Sequence, residues 1–125
     1  MKQTVKNIVK IVSNEFTKFI EEEPNDNMHY TLATSSNTIL IRQNKPVDDP
    51  ESVVKNIYLN VSYKTYPMTN VSVRILNGNT PKVSIEYNIH HPQYLKSNSY
   101  PDGLDPKRIA ELIFSLQRIA TEINM

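Results

Sequence analysis

Residues 56–90 read NIYLNVSYKTYPMTNVSVRILNGNTPKVSIEYNIH, and their alternation decides the fold. Ile57, Leu59, Val61 and Tyr63, then Val71, Val73 and Ile75, then Val83, Ile85, Tyr87 and Ile89 all stand at odd numbers. The residues between them are mostly polar, among them Asn60, Ser62, Ser72, Arg74, Ser84 and Glu86. Side chains on a strand point alternately to opposite faces, so this parity predicts strands with one buried face and one wet face. Pro67-Met68-Thr69-Asn70 and Asn77-Gly78-Asn79 have turn-forming compositions and divide the run into strands at 56–65, 71–77 and 82–90.

Register follows from the same parity. Paired positions in an antiparallel hairpin sum to a constant, and apolar opposite apolar requires an even sum. Around the second break this predicts Val73 opposite Val83 and Val71 opposite Ile85, through a loop of three residues or more. A two-residue Asn77-Gly78 loop would give an odd sum and turn the core outward.

Working outward, Val5, Ile8, Val9, Val12, Phe16, Phe19 and Ile20 recur at three- and four-residue spacing, which predicts an amphipathic helix over 3–22. Glu21-Glu22-Glu23 sits where the helix dipole disfavours negative charge, so the end is expected to fray before Pro24 stops it. Residues 28–34 and 38–43 read as two shorter strands joined at Ser35-Ser36-Asn37, the first alternating Met28, Tyr30 and Leu32. Asp49-Pro50 has the composition of a short helix start or of a plain loop. At the other end, Asp105 as N-cap and Pro106 at the first helical position open a helix over 105–124 with the stripe Ile109, Leu112, Ile113, Leu116, Ile119, Ala120 and Ile123. The whole is an α+β two-layer sandwich over 1–125: an antiparallel sheet of about five strands in a meander, with the N- and C-terminal helices on its odd-numbered face. Helix–meander–helix orders are similar to those of double-stranded-RNA-binding domains and small secretion chaperones, a likeness of element order alone.

Composition narrows function mainly by exclusion. The chain has 125 residues, 14 Lys plus Arg against 13 Asp plus Glu, and no cysteine, which removes disulfides and thiolate metal sites and leaves no global charge to attract nucleic acid or membrane. Only Gly78 and Gly103 are present, too few for a phosphate-cradling loop. Lysines interrupt the N-terminal apolar residues, so no secretory leader is read, no run reaches the length of a membrane span, and a cytoplasmic location is expected. Abundant Lys and Asn suggest an AT-rich genome, such as that of a phage or mobile element.

No catalytic residue, metal ligand set or cofactor motif is assigned. His90-His91 precedes Pro92, but neighbours on a strand point to opposite sides, so one metal does not readily take both. Two surfaces stand out instead. Tyr94 and Tyr100 lie in the irregular segment 91–104, whose length suggests a contact loop, and Tyr58 and Tyr66 belong to the meander. With the register above, Arg74 lies opposite Lys82, and with Lys64 nearby forms an anion-binding patch on the open sheet face; Lys107 and Arg108 give a second basic pair at the last helix. The expectation is a non-catalytic binding protein of adaptor, chaperone or inhibitor type that meets a protein partner through its tyrosines and forms a homodimer. The alternative is a nucleic-acid or nucleotide binder using the basic residues.

Overall fold

The computed structural model describes residues 4–22, 27–38, 53–77 and 81–125. Helix α1 (Val5–Glu22) is followed by strands β1 (Met28–Thr38), β2 (Val53–Tyr63), β3 (Tyr66–Asn77) and β4 (Lys82–Ile89), a 3-10 turn at Pro92–Tyr94, and helix α2 (Pro106–Asn124). The fold is α+β. The four strands form an antiparallel sheet in the order β1-β2-β3-β4, so each strand neighbours the next in sequence.

Burial follows the odd numbers through β2, β3 and the start of β4. Ile85, however, is only partly buried, and Tyr87 and Ile89, expected in the core, are exposed at the sheet edge. Ile57, Leu59, Val61, Val71, Val73, Ile75 and Val83 are all buried, while Asn60, Arg74, Ser84 and Glu86 are exposed. On β1 the parity inverts, because β1 and β2 pair with an odd sum: Met28 faces Tyr63, Tyr30 faces Val61 and Leu32 faces Leu59. The helices complete the same core with Ile8, Val12, Phe16 and Phe19 from α1 and Ile109, Leu112, Ile113, Leu116 and Ala120 from α2. Burying each large aliphatic side chain contributes about 1.5–3 kcal/mol, which makes this shared cluster the main source of stability.

Both helix starts are capped. The Thr4 hydroxyl accepts from the Asn7 N–H at 3.1 Å, and the Asp105 carboxylate accepts from the Lys107 N–H at 3.0 Å with Pro106 at the first helical position. The acidic end of α1 is neutralised by a residue from the far end of the chain. Arg108 donates to the Phe19 carbonyl at 3.0 Å and to the Glu22 carboxylate at 2.8 Å, and its guanidinium lies over the Phe19 ring. A cation at a helix C-terminus is favourable, so α1 runs as far as Glu22.

Three boundaries differ from the sequence reading. First, Ser35-Ser36-Asn37 is not a turn: β1 continues through it to Thr38, paired residue for residue with Val53–Asn56. A long complementary partner overrides local turn preference. The remainder of the expected 38–43 strand, and the candidate helix start at Asp49-Pro50, lie outside the described residues.

Second, the β2–β3 connection is Lys64-Thr65, between paired Tyr63 and Tyr66, and not the Pro67–Asn70 stretch. Lys64 adopts a left-handed conformation, φ 55°, which composition does not announce because Lys is not a turn former. Pro67–Asn70 is strand instead, with a β-bulge at Val61/Ser62 that buries Met68 and Thr69 side by side and shifts the parity of everything before it in β3. Pro67 is accommodated because β4 ends at Ile89 opposite Thr69, so no β4 residue needs its missing N–H.

Third, β3 and β4 pair with an even sum, as parity demands, but two residues further along than expected: Val73 faces Ile85 and Ile75 faces Val83. Residues 78–80 of the connecting loop lie outside the described residues. Parity constrains a register only modulo two, and the sequence of this loop did not supply the remaining choice.

Candidate functional site

On one face of the sheet lies a shallow depression whose lining, among the described residues, comes from strands alone. Tyr58 lies between Ala33 of β1 and Ser72 of β3. It lines the depression with Ser35, Asn56, Ser72, Arg74 and Glu86. Arg74 faces Asn56 on one side and Ser84 on the other, not Lys82, so the expected pair of opposed cations does not form. Its guanidinium is instead 3.9 Å from the Glu86 carboxylate. Both side chains remain about half exposed or more, so this pair contributes a few tenths of a kcal/mol at most and leaves the arginine fork accessible. The depression therefore offers an aromatic ring, one cation, one anion and several hydroxyl and amide groups without an apolar rim.

The tyrosines of the 91–104 segment are placed differently. Tyr94 stacks on Tyr66 with ring centroids 4.5 Å apart and on Tyr63 at 5.7 Å, while Tyr100 meets Tyr94 edge-on at 5.1 Å and Tyr63 at 6.0 Å. His91, in a left-handed conformation with φ 48°, adds its ring against Tyr66 and Tyr94. Tyr66 joins this cluster, away from Tyr58, because the bulge puts it on the same side of the sheet as its partner Tyr63.

Asp102 anchors the cluster. It accepts from the Tyr63 hydroxyl at 2.8 Å and from the Asn27 side-chain amide. These two hydrogen bonds, the tyrosine's first, hold the Asp102 carboxyl below the usual carboxylate range, and the same contact, with burial, raises Tyr63. Tyr94 is raised as well, first by hydrogen bonding with Tyr66 and then by burial.

The length of the 91–104 segment thus has a structural cause. Pro92–Tyr94 turns the chain, Leu95 and Leu104 form a parallel bridge, and Tyr94, Leu95, Tyr100 and Leu104 close the end of the core. Gly103 permits the approach: a Cβ there would lie 2.3 Å from the Tyr94 carbonyl oxygen. The tyrosine edges left accessible are those of Tyr66, 41 % exposed, and partly Tyr94 and Tyr100.

The basic candidates are dispersed. Lys64 sits in the β2–β3 turn over the Tyr63 ring, Lys82 begins β4 beside the end of α2, Lys107 is exposed in the first turn of α2, and Arg108 is held by Glu22 and Phe19. Arg74 alone faces the open depression. Of the histidines, His29 lies opposite Ser62, and His90 and His91 are exposed at the end of β4. Among the described residues no group of three or more His, Asp and Glu side chains could hold a metal ion, and no helix is long and apolar enough to cross a membrane.

Sequence reasoning did not single out Asn27, or see that Asp102 and Asn124 are joined to distant strands. Their partners are 75, 39 and 41 residues away along the chain, beyond any local pattern. Comparison of the chain with protein-family models, curated proteins and solved structures found no match.

Proposed function

We propose that the protein is a small non-catalytic binding module that engages a protein partner through the uncovered sheet face, with Tyr58 as the anchor and Arg74 and Glu86 as polar contacts beside it. In this reading the domain is a two-layer sandwich: the helices form one layer on the odd-numbered face of the sheet and leave the other face free. The observation that carries the reading is the depression around Tyr58, where an aromatic ring on a rigid central strand is flanked by an accessible guanidinium and carboxylate. Tyrosine and arginine are favoured at the energetic centres of protein interfaces, and a site built on strands presents them with little ordering cost.

The nucleic-acid reading has less support in this arrangement. Phosphate binding draws on several cations along one surface, and here Arg74 and Arg108 are each paired with a carboxylate while Lys64, Lys82 and Lys107 are spread over separate elements. The test is affinity capture from host lysate, treated with nuclease, using the native protein, Tyr58→Ala, Arg74→Glu and Lys107→Glu. The proposal expects a protein captured by the native chain and by Lys107→Glu, and lost with Tyr58→Ala and Arg74→Glu. Capture that disappears on nuclease treatment, or that both open-face variants retain, contradicts it.

A further inference from the structure

The outer edge of β4 has a free stretch with unusual symmetry. Antiparallel pairing alternates residues whose main-chain groups point to the partner strand with residues whose groups point away. Val83 points away from β3, since its N–H and carbonyl both bond the Asn124 side chain. The Asn88 carbonyl and the His90 N–H point inward, to Thr69 and Met68 of β3. Ile85, Tyr87 and Ile89 therefore direct their main-chain groups outward, and among the described residues none of these groups has a partner. The free stretch has two ends: Asn124 covers the edge at Val83, and the left-handed His91 turns the chain away after His90. Between them Tyr87 is 48 % and Ile89 46 % exposed on the side of the sheet that carries the helices.

The stretch reads Ile85-Glu86-Tyr87-Asn88-Ile89, a chemical palindrome about Tyr87. We infer that this edge is the interface with a second copy of the chain, two β4 strands pairing antiparallel about a two-fold axis at Tyr87 and extending the sheet across the dimer. In that register Ile85 faces the partner copy's Ile89, the two Tyr87 rings lie side by side, and each Glu86 faces the partner copy's Asn88. The Glu86 carboxylate then receives an amide donor. The neighbouring two-fold register, centred on Glu86, would oppose two carboxylates directly, which is unfavourable. Apolar pairs on one side and a carboxylate–amide pair on the other make a second copy the fitting occupant. A long, partly apolar free edge is otherwise a liability that folds usually blunt with charge or proline. The edge adjoins the Tyr58 depression at Glu86, which lines that depression as well. The dimer inference does not depend on a partner binding there, and Tyr87→Cys and Ile89→Lys both leave Glu86 in place.

The chain has no cysteine, so single-cysteine variants report this geometry directly. In the proposed dimer Tyr87→Cys brings two thiols together across the axis, whereas Ser84→Cys on the same strand leaves them far apart. Mild oxidation should yield a disulfide-linked dimer with Tyr87→Cys and little or none with Ser84→Cys, and sedimentation of the native protein should show reversible dimers that Ile89→Lys disperses without loss of circular-dichroism signal. A native chain that stays monomeric from micromolar to near-millimolar concentration overturns the inference and reassigns the edge to a foreign strand. Equal crosslinking of the two cysteine variants overturns the proposed register and axis.

Discussion

The side-chain amide of Asn124 pairs with both main-chain groups of Val83, accepting from its N–H and donating to its carbonyl, each at 2.9 Å. The last turn of α2 thus treats the edge of β4 as a neighbouring strand would, and ties the C-terminal helix to the sheet at the end opposite to the tyrosine cluster. Asn124→Ala should lower stability by about 1–2 kcal/mol by removing the two bonds, read as a lower urea midpoint at unchanged slope. Asn124→Asp, which keeps the acceptor and loses the donor, should fall between the native protein and the alanine variant.

Val73 and Ser84 test parity and register together. Val73→Asp places an unpaired charge at the centre of the core, a cost of about 4 kcal/mol or more, which consumes much of the stability of a domain this size. Ser84→Asp puts its carboxylate on the open face opposite Arg74 and should leave the melting temperature unchanged or slightly higher. Thermal melts of the two variants that coincide would contradict the observed faces.

Asp102 gives the fold a defined acid limb. Its carboxyl is depressed in the folded state by the Tyr63 hydroxyl and the Asn27 amide, so it contributes stability that is present above the ordinary carboxylate range, near about 4, and is lost as pH falls through the lower folded value. Tyr63 and Tyr94 are raised, so their contribution is present below the ordinary phenol range and is lost as pH rises through their folded values. Asp102→Asn should flatten the fall in urea midpoint between pH 5 and pH 3, and Tyr63→Phe should do the same by removing the donor.

Gly103 holds the closing segment in place by having no side chain. A Cβ would come within 2.3 Å of the Tyr94 oxygen and 2.9 Å of the Leu95 carbonyl carbon, both backbone atoms that cannot swing aside. Gly103→Ala should cost about 1–3 kcal/mol and raise the exchange rates of the Lys96 and Gly103 amides, which bond the Leu104 and Tyr100 carbonyls.

Much of this fold was legible in the alternation of residues 56–90, because burying one face of a sheet imposes a period of two wherever the strand pairing is regular. Both helices were legible for the same reason at period 3.6, together with the Asp105-Pro106 start. Legibility failed where long-range pairing decided the outcome. Lys64 turns the chain because Tyr63 and Tyr66 pair, and Ser35–Asn37 stays extended because Val53–Asn56 lies alongside. The two-residue register error then misplaced Arg74, which was expected beside Lys82 and stands near Glu86. Arg74→Glu would therefore set two carboxylates near each other and should cost a few tenths of a kcal/mol. Among the candidate residues, Tyr58 could be placed from parity alone, whereas Tyr66 could not, because a single bulge carried it to the other side.

The central claim is the proposal that a protein partner binds the sheet face around Tyr58. Amide hydrogen exchange of the isotopically uniform protein, alone and saturated with the captured partner, tests it most directly. The account predicts new protection concentrated in β2 and β3 at Asn56–Asn60 and Ser72–Arg74, with the exposed faces of α1 and α2 unchanged. Protection centred on the helices or on residues 91–104, with exchange around Tyr58 unaltered, would contradict it.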